Sequence, residues 1–275
     1  MGGSLPPARL SIRGRKKLEA LEPAIGYRVT LRLKDERAIA ATRAERRAAV
    51  CIMIRQGRAR RLLACAVAER HAEAIVLCSR AEAGAYAGRT ATALSLSLRL
   101  EVAFEVARIK PICDQQQLAN AFEQVLQQGE PRQLADEDFY DGTNLPDLIG
   151  MRVHGDYGRA LLRAYLPSVS EQALLDRLKV DLSEPVSFDE TVLVEAMLAA
   201  AGRSSLKGRS RASVGARRAA ASVARLHMTA PAFANLLGID VRTAFRMRAQ
   251  HCDKALARAI ELQLRWRSLL RRTPA

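Results

Sequence analysis

Residues 61–78, RLLACAVAERHAEAIVLC, decide the fold. They contain two apolar runs, 61–67 and 72–78, each about the length of a strand, with the polar segment AERH between them. Short apolar runs on both sides of a brief polar segment predict a β-hairpin. The first half of the chain is therefore expected to contain a β-sheet.

The segments on both sides of this hairpin supply the other elements of a sheet domain. Alternation of apolar and basic residues predicts a strand at 25–33, and a fourth strand is predicted at 102–109, stopping at Pro111. Helical spacing predicts helices at 42–56, 82–100 and 114–128. The order β-α-β-β-α-β-α matches the split βαβ, ferredoxin-like arrangement, an antiparallel sheet with helices on one face. The predicted fold class is α+β.

Charge is segregated along the 275 residues, which carry a net charge of +15. Residues 1–112 have 22 Lys and Arg against 10 Asp and Glu, residues 113–202 have 6 against 16, and residues 203–275 have 16 against 3. Two basic blocks flank an acidic one, a distribution typical of surfaces that bind polyanions. Arginine enrichment from a GC-rich genome is the alternative explanation.

Composition divides the chain into four parts. They are a basic arm at 1–22, the sheet domain at 23–130, an acidic helical connector at 131–205 and a basic module at 206–275. The five cysteines are widely spaced, and no pair has metal-ligand spacing, which fits a reducing, cytoplasmic compartment. No apolar stretch reaches the ~18 residues of a transmembrane helix, so no membrane partner is expected.

The C-terminal module contains MTAPAFANLLGIDVRTAFRMRAQ at 228–250, which predicts a helix-turn-helix. Pro231 is suited to a helix start, and Gly238 permits a positive-φ turn before a second helix at 241–249. The predicted contacts with duplex DNA are Arg242, Thr243 and Arg246 in the major groove and Arg225 and Arg248 at phosphates. Packing of two helices in a bundle without DNA contact remains the alternative.

Several segments of the first half are similar to segments of one protein family. They are YRVTLR at 27–32, LACAVAERHAEAIVL at 63–77, FEVARIKPI at 104–112, the helix at 114–128, and DGTNLPDLIG at 141–150. On these segments the chain resembles the REP-associated tyrosine transposases, members of the HUH superfamily. The resemblance implies a ferredoxin-like domain that binds hairpin or single-stranded DNA, and it implies a possible homodimer, because members of the family often act as dimers.

The resemblance also implies a site. In the family, two histidines on one strand hold a divalent cation, and a tyrosine on the following helix attacks the scissile phosphate. Here His71 stands at the first histidine and Glu73 at the second, and such a pair implies Mg²⁺ or Mn²⁺ because a carboxylate is a hard oxygen donor. Gln124 stands at the tyrosine position and cannot form a phosphodiester link. The expected protein binds DNA and has lost, or retains little of, its cleavage and strand-transfer activity.

A basic groove on the sheet domain is the expected site of the hairpin or single strand. Its candidate residues are Arg28, Arg32, Arg58, Arg60 and Arg61, although the same arginines could form a solvated edge that prevents pairing between molecules. Two other functions are consistent with the sequence. One is an active metal-dependent transposase with Glu73 as a ligand and Tyr140 or Tyr157 as the nucleophile. The other is an all-helical transcription regulator, in which the predicted strands are wrong.

Overall fold

A computed structural model describes residues 23–35, 37–68, 70–127, 141–152, 155–178, 180, 182, 190–203 and 205–272. The expected basic arm at 1–22 and the first part of the acidic connector, residues 131–140, lie outside these residues. Within them, four strands form one antiparallel sheet in the order β2-β3-β1-β4. The strands are β1 (Gly26–Arg32), β2 (Leu62–Val67), β3 (His71–Val76) and β4 (Arg108–Ile112). The chain is thus of mixed α+β class, and the all-helical alternative is wrong.

Two helices cover one face of this sheet. They are α1 (Arg43–Gly57) and α2 (Arg80–Leu98), and each begins with a capping box, formed by Thr42 with Glu45 and by Ser79 with Glu82. Their apolar residues pack with the buried side chains Val29 and Leu31 of β1, which alternate with polar residues along the strand. This layer forms one of the hydrophobic cores.

The opposite face is covered over β2 and β3 by α3 (Gln115–Gln127). Leu118 and Phe122 of this helix share a core with Leu63 and Ile75 of the two strands. The expectation that helices lie on one face only is therefore wrong, because α3 returns across the second face. On the β1 and β4 side of that face, the exposed side chains are polar.

The fourth strand differs in position from its prediction. Of the predicted strand at 102–109, residues 102–107 contribute only an isolated bridge between Phe104 and Leu33, whereas the paired strand runs from Arg108 to Ile112 and includes Pro111. Proline is tolerated there because β4 is an edge strand, whose outer side needs no hydrogen-bond partner. The rule that a strand stops at proline failed because it assumed an interior position.

The second half of the chain is helical. Its helices are α4 (Leu145–Leu148), α5 (Gly155–Tyr165), α6 (Glu171–Arg177), α7 (Glu190–Ala200), α8 (Arg211–Val223), α9 (Ala230–Leu237), α10 (Val241–Ala249) and α11 (Lys254–Arg272). Apolar side chains of α4 to α6 pack in the same hydrophobic core as those of α3. Side chains of α7 to α11 form another core, which is rich in alanine. Among the described residues, none of these helices has the length and apolar content that a membrane span requires.

A buried ion cluster joins the sheet domain to the last helix. The carboxylate of Asp141 is 2% exposed and lies 2.7 Å from Arg43 Nε and 2.8 Å from Arg47 Nη2, both on α1. On its other side are Arg152 Nη2 at 3.5 Å and, from α11, Arg267 Nη2 at 3.8 Å. Burial by itself would raise the pKa of Asp141, but Arg47 and the other guanidinium groups hold it well below its usual range. One carboxylate thereby connects three segments of the chain.

Candidate nucleic-acid interface

The uncovered part of the sheet face beside β1 and β4 is strongly basic. Strand alternation places Arg28, Thr30 and Arg32 of β1 on this face, with Arg108 opposite Thr30 and Lys110 opposite Arg28 on β4. The ends of Arg32, Arg108 and Lys110 are exposed. We call this surface, defined by Arg28, Arg32, Arg108 and Lys110, the basic sheet face.

Beside the basic sheet face, on β3, lies the buried carboxylate of Glu73. Arg28 donates to its Oε2 from Nε at 2.8 Å and approaches it from Nη2 at 2.6 Å. Thr30 Oγ1 donates to the other oxygen at 3.1 Å, and Nε2 of His71 lies 3.9 Å from it. His71 and Glu73 are therefore side by side on one face, as their spacing on a strand predicts.

Gln124 reaches the same cluster from α3. Its Oε1 accepts a hydrogen bond of 2.6 Å from Arg28 Nη1. The guanidinium of Arg28, on β1, thus lies between the side chain of Glu73, on β3, and that of Gln124, on α3. Three residues far apart in sequence, each named as a site candidate, meet at one point.

These residues do not fit a divalent cation. The oxygen Oε2 of Glu73 is occupied by the positive guanidinium of Arg28, and a cation there would be repelled by it. Within the described parts of the chain, no group of three His, Cys, Asp or Glu side chains could hold a metal. The Mg²⁺ or Mn²⁺ ion that the resemblance implies stays a prediction that this pair of donors does not support.

The other candidate arginines of the sheet domain lie elsewhere. Arg58 and Arg61 are beside the start of β2, whose first residue pairs with Val76, whereas Arg32 pairs with His71 at the opposite end of β3. The guanidinium of Arg58 stacks 5.6 Å from the ring centre of Tyr157, and Arg61 donates to the hydroxyl of Tyr165 at 2.8 Å. Arg60 donates to the carbonyl of Gln56 at 3.3 Å. The five arginines therefore form two groups rather than one groove.

The described tyrosines are not placed like Gln124. Tyr86 is completely buried among the α1 and α2 core, and burial raises its pKa well above the usual value. Tyr27 packs against that same core, on the sheet face opposite Glu73. Tyr157, one of the two suggested nucleophiles, donates its hydroxyl proton to the carbonyl of Arg58 at 2.7 Å. The other, Tyr140, lies outside the described residues.

Sequence reasoning missed Arg108 and Lys110. They were not singled out because the predicted fourth strand, 102–109, ended before Lys110 and gave no register of Arg108 against β1. The available signal was the spacing of two cations by one residue in RIK, since strand alternation puts such a pair on one face. A cavity of about 410 Å³ next to this surface is lined by three arginines and one acid, namely Arg32, Arg70, Arg108 and Glu105.

A second candidate surface is built by α9 and α10. Thr229 caps α9, accepting from Ala232 N at 3.3 Å, and Gly238 ends it with φ 59°, the left-handed conformation that glycine adopts without strain. Asp240 then caps α10, accepting from Arg242 N at 2.8 Å. The turn between the two helices is therefore short and specified by local sequence.

The positions along α10 divide into a buried and an exposed side. Ala244 and Met247 face the core, whereas Arg242 and Arg246 are exposed and Thr243 is half-buried. Arg248 has a structural contact, since it donates to the carbonyl of Met228 at 2.7 Å and stacks on the ring of Phe233.

Arg225 is exposed and lies near Arg248. Burial, together with the positive charge of Arg225, lowers the pKa of Arg248. The two positions predicted to meet phosphates are therefore neighbours, and Arg248 also helps to fix α10.

A groove of about 740 Å³ separates α10 from α8. Its arginines are Arg209, Arg217, Arg218 and Arg246, and among its described lining residues Asp240 is the only acid. Arg209 and Arg218 also line an adjacent groove of about 800 Å³, which contains Arg211 and one acid, Asp253. The exposed side of α10 is thus flanked by a positively charged wall.

No protein-family model matches the chain, and comparisons with curated proteins and with solved structures found no match.

Proposed function

We propose that the protein binds DNA through two separate surfaces and lacks the cleavage activity of the transposases that its first half resembles. The basic sheet face, on a ferredoxin-like domain, is the site for hairpin or single-stranded DNA. The unit formed by α9 and α10 is a helix-turn-helix that binds duplex DNA. A role in transposition, or a regulatory role derived from it, is the corresponding biological context.

The observation that carries the proposal is the meeting of Gln124, Arg28 and Glu73. The resemblance assigns Gln124 and Glu73 to the two halves of a DNA-processing site, and the contacts through Arg28 bring those halves together. The strand order β2-β3-β1-β4 and the antiparallel pairing also agree with a split βαβ domain.

The same cluster argues against covalent chemistry. A glutamine amide at position 124 cannot serve as the nucleophile in phosphodiester transfer. The carboxylate of Glu73 is neutralised by Arg28 rather than available to a cation. What remains is a positive, partly exposed surface suited to phosphates of a nucleic-acid backbone.

The helical surface supports the second half of the proposal. Two exposed arginines, Arg242 and Arg246, project from a helix that is capped at its start and held by the core on its inner side. An α-helix fits the major groove of B-form DNA, and arginine reads guanine by two parallel hydrogen bonds. The arginines of the neighbouring groove are suited to the flanking phosphates.

Fluorescence-anisotropy titrations of the full chain with labelled hairpin, single-stranded and duplex DNA test the proposal. The double variant Arg32→Ala, Arg108→Ala should weaken hairpin and single-strand binding at least about tenfold and leave duplex binding unchanged. The double variant Arg242→Ala, Arg246→Ala should do the reverse. These outcomes require two distinct surfaces.

The matched control is Arg80→Ala with Arg89→Ala. Both residues are exposed on α2, on the side of the sheet away from the basic sheet face. The control removes the same charge and should leave all three affinities unchanged. Equal losses in all three double variants would show unspecific attraction to the net positive charge and would contradict the proposal.

A further inference from the structure

An exposed apolar pair lies on the basic side of α10. Phe245 is 59% exposed and Val241 is 37% exposed, and the two residues are one helical turn apart. The other large exposed hydrophobic side chains of the described residues are Ile25, Leu96, Val106, Leu182 and Leu226. Single exposed apolar side chains are ordinary, whereas a contiguous apolar patch on a polar surface indicates a contact site.

The pair belongs to one stripe of the helix with the two arginines. Positions 241, 242, 245, 246 and 249 are all exposed and follow the helical repeat. The inner side of α10 is fixed by Ala244 and Met247 in the core, and its start is fixed by the Asp240 cap. The aromatic ring is therefore presented from a rigid element between two cations.

We propose that Phe245, with Val241 beside it, reads thymine through the C5 methyl group when α10 lies in the major groove of duplex DNA. This inference rests on the proposed function and adds a base preference to it. The methyl of thymine is an apolar group at the base edges in that groove, and an apolar side chain contacts it favourably. Arg242 and Arg246 would lie on either side, over neighbouring bases or phosphates.

Charge selects duplex DNA over another protein as the occupant. Residues 203–275 contain 16 Lys and Arg against 3 Asp and Glu, and the groove next to α10 is lined by four arginines. A second copy of this chain, related by a two-fold axis on the same face, would bring Arg242 and Arg246 against like charges. Only a polyanion with apolar groups on its surface matches both components of the stripe.

The test removes the methyl group without changing base pairing. A duplex that binds the full chain is first selected from a random-sequence pool, and each thymine is then replaced in turn by uracil. At one or two positions uracil should weaken binding roughly fourfold, the factor expected from burial of one methyl group. In Phe245→Ala the thymine and uracil duplexes should bind equally at those positions.

The control is Leu226→Ala, which removes an exposed apolar side chain outside α10 and should keep the thymine–uracil difference. Equal affinity of the unmodified chain for thymine and uracil duplexes would overturn the inference while leaving duplex binding intact. Absence of any duplex binding would overturn both. A dimer that Phe245→Ala converts to a monomer in sedimentation would assign the ring to self-association and would also overturn the inference.

Discussion

Replacement of Asp141 by asparagine should lower the free energy of unfolding more than a substitution on the surface does, because Asp141 connects the sheet domain to the last helix. The side chain keeps its shape but loses the charge that four guanidinium groups surround. Arg152 and Arg267 are completely buried, so their charges would be left with weaker compensation. Removing one partner from a buried ion pair usually costs about 3–5 kcal/mol.

The remaining contacts set the expected value within that range. Arg152 keeps Asp147 at 3.0 Å, and Arg267 keeps Glu195 at 3.7 Å, so neither cation loses every partner. We therefore expect Asp141→Asn to lower the free energy of unfolding by about 3 kcal/mol at neutral pH.

The pH dependence follows from the lowered pKa of Asp141. A carboxyl group with a lowered pKa in the folded state contributes stability that is present above its unfolded pKa, about 3.9, and is lost as the pH falls toward the folded pKa. The difference between the unmodified chain and Asp141→Asn should be constant from pH 7 to about pH 5 and should shrink below about pH 4.

Urea unfolding followed by tryptophan fluorescence measures this change. Trp266 is the only tryptophan in the sequence, is buried, and neighbours Arg267 in the cluster. The control is Asp35→Asn, which breaks an exposed pair with Arg37 and should change stability by less than about 1 kcal/mol. A loss below about 1 kcal/mol for Asp141→Asn as well would refute the argument that this carboxylate holds the segments together.

Three further outcomes are expected. Glu73→Gln should strengthen binding of single-stranded DNA by about 1 kcal/mol in anisotropy titrations, because it releases the full charge of Arg28, and unchanged affinity would remove Arg28 from the DNA surface. Gly238→Ala should destabilise the chain by about 1–2 kcal/mol in thermal unfolding because of its positive φ, whereas Gly88→Ala, at an exposed position of α2, should stabilise it by about 0.5–1 kcal/mol. Arg209→Ala should reduce the slope of log affinity against log salt for duplex DNA by about one, without a change in base preference.

Local pattern was sufficient for most elements of the sheet domain. The hairpin at 61–78 forms as Leu62–Val67 and His71–Val76, because apolar runs bounded by a polar turn have few other ways to be buried. Outside the sheet domain, helix α10 has the predicted ends, 241 and 249, because the Asp240 cap fixes its start and its helical repeat is continuous.

Other features depend on tertiary position and left little local signal. Whether Pro111 ends a strand depends on whether that strand is at an edge, which periodicity does not reveal. No helix was predicted at 211–223, where Gly, Ser, Arg and Ala predominate. The segment forms α8 because Ser210 caps it and its alanines, including Ala216 and Ala220, allow close packing.

The candidate site was anticipated unevenly for the same reason. The resemblance pointed to His71, Glu73 and Gln124. In the structure, the hydrogen bond from Arg28 to Gln124 connects β1 to α3 at this cluster. The Asp141 cluster was not anticipated, because its arginines come from residues 43, 47, 152 and 267 and no sequence spacing connects them. Ion clusters assembled by the tertiary fold have no periodic signature.

We propose that this chain binds DNA without cutting it. The direct measurement is incubation of the full chain with labelled hairpin DNA and matched duplex in the presence of Mg²⁺ or Mn²⁺, analysed in parallel on native and denaturing gels. We expect shifted complexes on the native gel, and on the denaturing gel only intact DNA free of protein. A covalent protein–DNA adduct on the denaturing gel, or no shift with either DNA on the native gel, would contradict the account.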